Sequence, residues 1–303
     1  MDNVQTMFRY DTSGQWFKGN THIHSTASDG GKTIPEISEL YAGAGYDFLF
    51  CTDHWVCSDV SEIETKTPVL LLDGIELDGH DESGTIFHVV CLGRVKGLTR
   101  DDGLEEGLRK AREQGAIAVL AHPRWSGNSL ADTARFSFDG VEVYNHVCRW
   151  LNGKGGGLTH WDAMLKRDRG TLCFAVDDAH LKPEHPGYDG GWIVVNAPDL
   201  SVQNVMSAIR RGNFYSSCGP SLTSLRLEDE TLHIECGPVQ FIRLIGPANV
   251  GWRAGSFDGQ TLNRVSVRVP RDWDYVCVEL EDQRGRRAWT NPLFVDQQAM
   301  PSP

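Results

Sequence analysis

Phe48-Leu49-Phe50-Cys51-Thr52-Asp53-His54 runs four apolar residues straight into three polar ones. A short apolar run reads as a strand buried on both faces, and polar residues just beyond it point into the mouth that such strands share. The pattern recurs along the chain. Val69 to Leu72 runs into Asp73-Gly74-Ile75-Glu76, Ile117 to Leu120 into Ala121-His122-Pro123, and Leu172 to Val176 into Asp177-Asp178-Ala179-His180. Val141 to Tyr144, ending at Asn145, is a further strand candidate. Helical segments separate these runs. Thr33-Ile34-Pro35-Glu36 reads as a capping box with proline in the first turn, followed by Ile37, Leu40 and Tyr41 at helical spacing and closed by Gly43 and Gly45. Further helices are expected from about Leu104 to Gln114 and near Trp161 to Arg167. Strands alternating with helices predict an α/β fold on a largely parallel sheet, open or closed into a barrel.

From about Gly219 the texture changes to short strand-like runs: Leu225 to Leu227, Leu232 to Cys236, Phe241 to Ile245, Val265 to Val269 and Tyr275 to Leu280. Turn residues separate them, among them Gly237-Pro238, Gly246-Pro247 and Pro270-Arg271-Asp272. This predicts a division into residues 1–218 and a small all-β, sandwich-like domain over 219–303. The tail after Val295 reads as frayed.

The 303 residues carry 41 acidic and 29 basic side chains, a formal net charge of −12. That balance argues against stable nucleic-acid binding, which needs a basic surface to displace counterions. No apolar run approaches the roughly 20 residues of a membrane helix, and Met1 to Thr12 has no apolar core of a secretory signal. The expectation is a cytoplasmic protein without membrane contact. Eight cysteines with no CxxC pair read as buried free thiols.

His22-Ile23-His24 puts two imidazoles on one side of an extended segment, because side chains alternate with period two. Four strand ends add His54, Glu76, His122, Asp178 and His180 to the same mouth. Imidazole mixed with carboxylate suits zinc, manganese or iron. His88, at the front of Phe87-His88-Val89-Val90, does not obey the strand-end rule.

His22-Ile23-His24-Ser25, Asp29-Gly30, Thr52-Asp53-His54, Gly74-Ile75-Glu76, His88, Ala121-His122-Pro123 and Asp178-Ala179-His180 together resemble the motifs of the PHP (polymerase and histidinol phosphatase) family, in that family's order. The resemblance covers roughly residues 16–220. It implies a distorted (β/α)7 barrel with a trinuclear centre of divalent ions, manganese, zinc or iron. Position by position, it implies that His22, His24, Glu76 and Asp178 hold one ion. Glu76, His88 and His122 hold a second, with Glu76 bridging, and Asp29, His54 and His180 hold a third. Family members often carry histidine where Asp29 stands, so two tightly held ions with a looser third is the alternative. Asn213 to Pro220, followed by a β domain, resembles the branch grouped with carbaryl hydrolases.

The chemistry so implied is hydrolysis of a small phosphate or nucleotide ester. Two ions roughly 3.5–4 Å apart clamp the attacking and leaving oxygens and generate the bridging hydroxide that attacks. Asp53, His160 and His185 are candidates to supply or orient the leaving-group proton. Arg124, then Lys18, are the candidate phosphate-binding cations. Glu142, Tyr144 and Asn145 are candidates to line the substrate. Gly153-Lys154-Gly155-Gly156-Gly157 reads as a mobile rim. The alternative is a carbamate or carboxylic ester hydrolase on the same metal site, favoured if Arg124 turns outward.

Overall fold

The computed structural model describes residues 6–63, 67–269 and 272–296; the tail beyond Asp296 and the Pro270-Arg271 turn lie outside the described residues. In chain order the first part comprises β1 (Thr6–Phe8), β2 (Gln15–Asn20), α1 (Ile34–Gly43), β3 (Phe48–Cys51), β4 (Leu70–His80), β5 (Ile86–Leu92) and α2 (Gly103–Glu113). There follow β6 (Ile117–Leu120), α3 (Pro123–Ser126), α4 (Leu130–Thr133), β7 (Gly140–Asn145), α5 (His146–Asn152) and α6 (Leu158–Leu165). Then come β8 (Leu172–Val176), β9 (Trp192–Ala197), α7 (Val202–Arg211) and β10 (Phe214–Ser217). The rest is all strand: β11 (Leu222–Glu228), β12 (Thr231–Val239), β13 (Phe241–Ile245), β14 (Gly251–Ala254), β15 (Leu262–Arg268), β16 (Cys277–Glu281), β17 (Arg287–Thr290) and β18 (Phe294–Asp296).

The mixed α/β class is as expected, and β3, β6 and β8 are buried along their whole length. At α1, the Thr33 amide and hydroxyl both donate to the Glu36 carboxylate at 2.8 Å, the reciprocal bond a capping box supplies. The sheet departs from expectation. Thirteen strands join in the order β14-β13-β16-β17-β10-β9-β2-β3-β4-β5-β6-β7-β8. Only β2-β3, β3-β4, β6-β7 and β7-β8 pair in parallel. The pairs β4-β5, β5-β6, β2-β9 and β9-β10 are antiparallel. For β5 the physical reason is the tight turn at Asp81–Thr85, where Asp81 N donates to Thr85 O and Asp81 Oδ1 accepts from the Ser83 and Thr85 amides. It folds β5 straight back on β4, so no helical crossover separates them. β4 is eleven residues long, and Glu76 lies in its interior rather than at its end.

Alternate residues of these strands supply one inner core: Phe48 and Phe50, Leu72, Val90 and Leu92, Val119, Phe174 and Val176, Ile193 and Val195, and Phe214. The sheet therefore curls around its own apolar side. Beyond β8 the chain returns to the segment after β2: Asp178 N donates to His22 O and His24 N to Ala179 O. At the flank, Ser216 Oγ donates to Cys173 O at 2.8 Å and accepts from Ala175 N at 3.0 Å. Its hydroxyl fills the place of a ladder bond.

The C-terminal strands do not make a detached sheet. β17 pairs with β10, so β13, β14, β16 and β17 continue the large sheet. β11, β12 and β15 form a second, three-stranded sheet. Leu225, Leu232 and Ile234 from it share a core with Ile242, Leu244, Val278 and Leu280, and also with Val194 and Tyr215 of the first part. β18 closes on β1 at the other end of the chain. Among the described residues no helix is long and apolar enough to cross a membrane.

Candidate metal centre

His22 and His24 flank Ile23, whose bridge to Ala179 keeps this segment extended, and both imidazoles reach the same place. His22 Nε2 lies 3.1 Å from His24 Nε2, 3.1 Å from Glu76 Oε2 and 3.3 Å from Asp178 Oδ1. His24 Nε2 lies 3.2 Å from Glu76 Oε2 and 3.1 Å from Asp178 Oδ1. This spacing suits a small tetrahedral ion: donors about 2.0–2.1 Å from a zinc stand about 3.3–3.4 Å apart. All four residues are buried, where unpaired carboxylates would be costly.

Glu142 stands directly behind. His22 Nδ1 donates to its Oε1 at 2.6 Å, which turns Nε2 toward the cluster as the nitrogen that an ion would engage once its proton leaves. Glu142 Oε2 accepts from His122 N at 2.7 Å and Asn145 Nδ2 at 2.9 Å. Asn145 Nδ2 reaches Asp178 Oδ2 at 3.2 Å, and its Oδ1 caps α5 by accepting from Cys148 N. Glu142 and Asn145 are thus fully enclosed supports for the cluster, not residues open to a substrate.

Glu76 also faces a second grouping. Its Oε1 lies 2.9 Å from His88 Nδ1 and 3.6 Å from His122 Nε2, and its Oε2 lies 3.4 Å from His54 Nδ1. A third grouping gathers His24, Asp29, His54 and His180. Asp29 Oδ2 lies 3.1 Å from His180 Nε2, and Asp29 Oδ1 lies 3.7 Å from His24 Nδ1. That His24 nitrogen is buried and has no hydrogen-bond partner among the described residues. An orphaned buried polar atom costs about 1–3 kcal/mol, and a cation beside it would remove that cost. Donor atoms lie within 4.8 Å of one another in His22-His24-Asp178, His22-Glu76-His122, His54-Glu76-His88 and His24-Asp29-His54-His180, so the residues fit a cluster of divalent ions.

Charge dominates this site. Burial alone would raise the Glu76 and Asp178 carboxyls, but the surrounding histidines hold both well below the usual carboxylate range. Burial would lower His24, yet its bonds to Asp178 and Glu76 raise it to about 9. The carboxylates are thus ionised and ready for cations, and protons on the imidazoles are what an entering ion displaces. Two of the residues sit on strained backbone: His122 has φ 27° and Asp178 φ 57°. Such left-handed conformations cost of order 1–3 kcal/mol in a non-glycine residue and concentrate at functional sites.

The surrounding pocket, about 210 Å³, is lined by Asp29, His54, Glu76, His88, His122 and Asp178, and also by Trp125, Cys148, His180, Lys182 and His185. All nine expected metal-site residues except the enclosed His22 and His24 therefore reach its wall. The expected accessory residues mostly do not. Arg124 is exposed and lines a different cavity, where Nη1 donates to Gly153 O at 3.3 Å. Lys18 Nζ pairs with Asp189 at 2.8 Å and lies over the Tyr46 and Trp192 rings, so its charge is spent on packing. His160 is buried with Nε2 2.9 Å from Asn128 O. Asp53 accepts four hydrogen bonds from Ser25 and Ser28, at 2.6–3.1 Å, and so orients the loop carrying Asp29 instead of facing the pocket. The glycine run is no mobile rim. Gly155 O accepts from Asn145 N, and Gly157 N donates to Val143 O. A Cβ at Gly155 would stand 2.1 Å from Asn145 O, so only glycine lets the loop lie this close to β7.

Sequence reasoning missed Lys182, the cation of the pocket, whose Nζ lies 3.5 Å from Asp29 Oδ2. It missed Cys148 too, whose Sγ lies 3.8 Å from Asp178 Oδ2. The one signal for Lys182 was its place two residues beyond His180. Cys148 follows Asn145 by three, but only the cap geometry turns it inward.

No protein-family model matches the chain. Over 126 residues it is 30% identical to phosphoribosyl 1,2-cyclic phosphate 1,2-diphosphodiesterase of Eggerthella lenta, a match spanning 40% of this chain and 43% of that protein. The chain thus aligns with less than half the length of this curated relative. Among solved structures it resembles a two-domain protein of Bacteroides vulgatus described as containing a predicted PHP-like metal-dependent phosphoesterase. The TM-score is 0.55 at 17% identity, over 96% of this chain and 98% of that one. At that identity the likeness establishes a shared fold.

Proposed function

We propose that this chain is a metal-dependent phosphoesterase of the PHP type that cleaves a small phosphate or nucleotide ester. The observation that carries this reading is the mutual spacing of the His22, His24, Glu76 and Asp178 donor atoms, backed by the Glu142 carboxylate. The full-length likeness to a PHP-like two-domain protein and the partial match to a phosphodiesterase support it. In this reading the curled sheet is the distorted (β/α)7 barrel, the strands described after residue 218 form the sandwich-like unit, and Asn213 to Pro220 link the chain to the carbaryl-hydrolase branch.

His22, His24, Glu76 and Asp178 hold one ion, and Glu76, His88 and His122 a second. Asp29, His54 and His180 hold a looser third, because the Asp29 side chain is 44% exposed. The ions, manganese, zinc or iron, supply an activated water and neutralise phosphoryl charge. Glu142 fixes the His22 tautomer and Asn145 the angle of Asp178, so the donors need little reorganisation. Lys182 meets a phosphoryl oxygen from the open side. His185, at the pocket wall beside His180, protonates the leaving oxygen.

The carbamate or carboxylic ester reading draws support from Arg124, which faces away from this pocket. Lys182 weighs against it, since it supplies the fixed cation that an anionic substrate needs.

The test is a metal count by elemental analysis, with assays of phosphate mono- and diesters, nucleotides, an aryl carbamate and an aryl acetate. Two or three ions per chain and phosphate release, lost in Asp178→Ala, are expected. The same count with carbamate or acetate cleavage alone transfers the assignment to the second reading. A metal-free chain, inactive after reconstitution, overturns both.

A further inference from the structure

On the far side of α5 from the metal pocket lies a second cavity, of about 550 Å³. The two share no lining residue. Val147, Cys148 and Leu151 of α5 line the histidine–carboxylate pocket, while His146 and Arg149 line this cavity. One wall comes from β7, α5 and the pinned glycine loop; the other comes from Cys218, Trp289 and the turn at Arg284–Arg287. Five arginines line it: Arg124, Arg149, Arg284, Arg286 and Arg287.

Their charges are not equally spent. Arg286 pairs with Asp282 at 2.7 Å, and Arg287 lies 3.3 Å from Glu281 and 3.5 Å from Glu279. The one acid on the cavity wall, Asp189, is paired with Lys18. Among the described residues Arg124, Arg149 and Arg284 have no carboxylate partner. Three uncompensated guanidiniums around one concavity stand out in a chain of net charge −12. Guanidinium forks match the paired oxygens of phosphate. The glycine loop keeps the floor free of side chains, since a Cβ at Gly156 would meet open space.

We infer that this cavity is a second binding site, separate from the metal centre, for a phosphate-class anion held by Arg124, Arg149 and Arg284. The anion is either a second phosphate of the substrate or a free ion that acts as an effector; the recognising chemistry is the same.

The probe is inorganic sulfate, which offers the same oxygens and is a weak metal ligand. It is titrated calorimetrically into the full metal-loaded chain, with chloride at matched ionic strength as the reference. Saturable binding is expected, weakened at least tenfold in Arg149→Ala/Arg284→Ala. Both side chains are exposed, so the variant keeps its fold, checked by an unchanged melting temperature and metal content. Sulfate that competes with the substrate marks the cavity as a substrate subsite, and sulfate that binds without competing marks an effector site. Binding no stronger than chloride's, or equal affinity in the double variant, overturns the proposal. Neither result bears on the metal-centre reading, which rests on metal count and ester cleavage.

Discussion

The two sides of α5 handle charge in opposite ways. On one side, imidazoles and carboxylates converge in overlapping groups whose donor atoms lie within 4.8 Å of one another, with His22, His24, Glu76, His122 and Asp178 buried at the centre. On the other, guanidiniums stand exposed around a larger hollow, three of them without an acid. A dense buried cluster makes sense if its guests are small cations that replace protons, because every donor must converge on a point. A ring of solvated cations makes sense if the guest is a larger anion, because long side chains close on it without prior desolvation. One short helix serves both, its N-cap Asn145 bonded to Asp178 and its Arg149 turned to the other cavity.

The sharpest way to break this contrast is Asp178→Ala. It should strip bound metal and lower kcat roughly a thousandfold or more, given the several kcal/mol a catalytic metal supplies. Normal turnover with normal metal content would end the assignment of Asp178. Next is Glu142→Gln, which keeps the shape but weakens the support behind His22. Metal affinity should drop by about 10–100-fold, read by chelator competition, and an unchanged affinity would reduce Glu142 to packing. Ionic strength should separate the two sides more gently. Between 0.1 and 1 M salt the screening length falls from about 10 to about 3 Å. Anion affinity should then fall several-fold while bound metal stays constant; metal lost in parallel would mean that the cluster is not shielded. The smallest effect belongs to Lys18→Ala. It removes a partly exposed ion pair, worth about 0–1 kcal/mol, and ring contacts of about 0.5–1 kcal/mol. Urea unfolding should shift modestly with turnover intact, whereas a collapse of turnover would return Lys18 to the site.

How much of this was legible depends on where the chain turns. His54, His122, Asp178 and His180 come together as expected because parallel strands deposit their ends on one rim. His88 defied that rule for a reason visible in the register: β5 is antiparallel to β4, with His88 opposite Asp78, so the start of β5 lies near the end of β4. Alternation of strand and helix could not reveal the antiparallel pairs, because a buried strand has the same composition in either direction. Lys182 lay hidden behind left-handed residues, Asp178 at φ 57° and Leu181 at φ 53°, which redirect the chain in a way that no spacing rule foresees. Arg124 does not line the histidine–carboxylate pocket, because α3 begins at Pro123. Within that turn Trp125 lines the histidine–carboxylate pocket and Arg124 the other cavity.

The pairing of β10 with β17 carries a practical consequence. A chain cut after residue 218, to isolate the portion bearing the metal ligands, would strip Tyr215, Ser216 and Ser217 of their neighbours Thr290, Trp289 and Ala288. It would also bare Val194 and Tyr215, which are buried against the last strands. The product would present an open strand edge beside fresh apolar surface, a template for self-association. Such a shortened chain should precipitate; removing β11, β12 and β15 instead would leave the long sheet's pairing intact but bare the same Val194 and Tyr215.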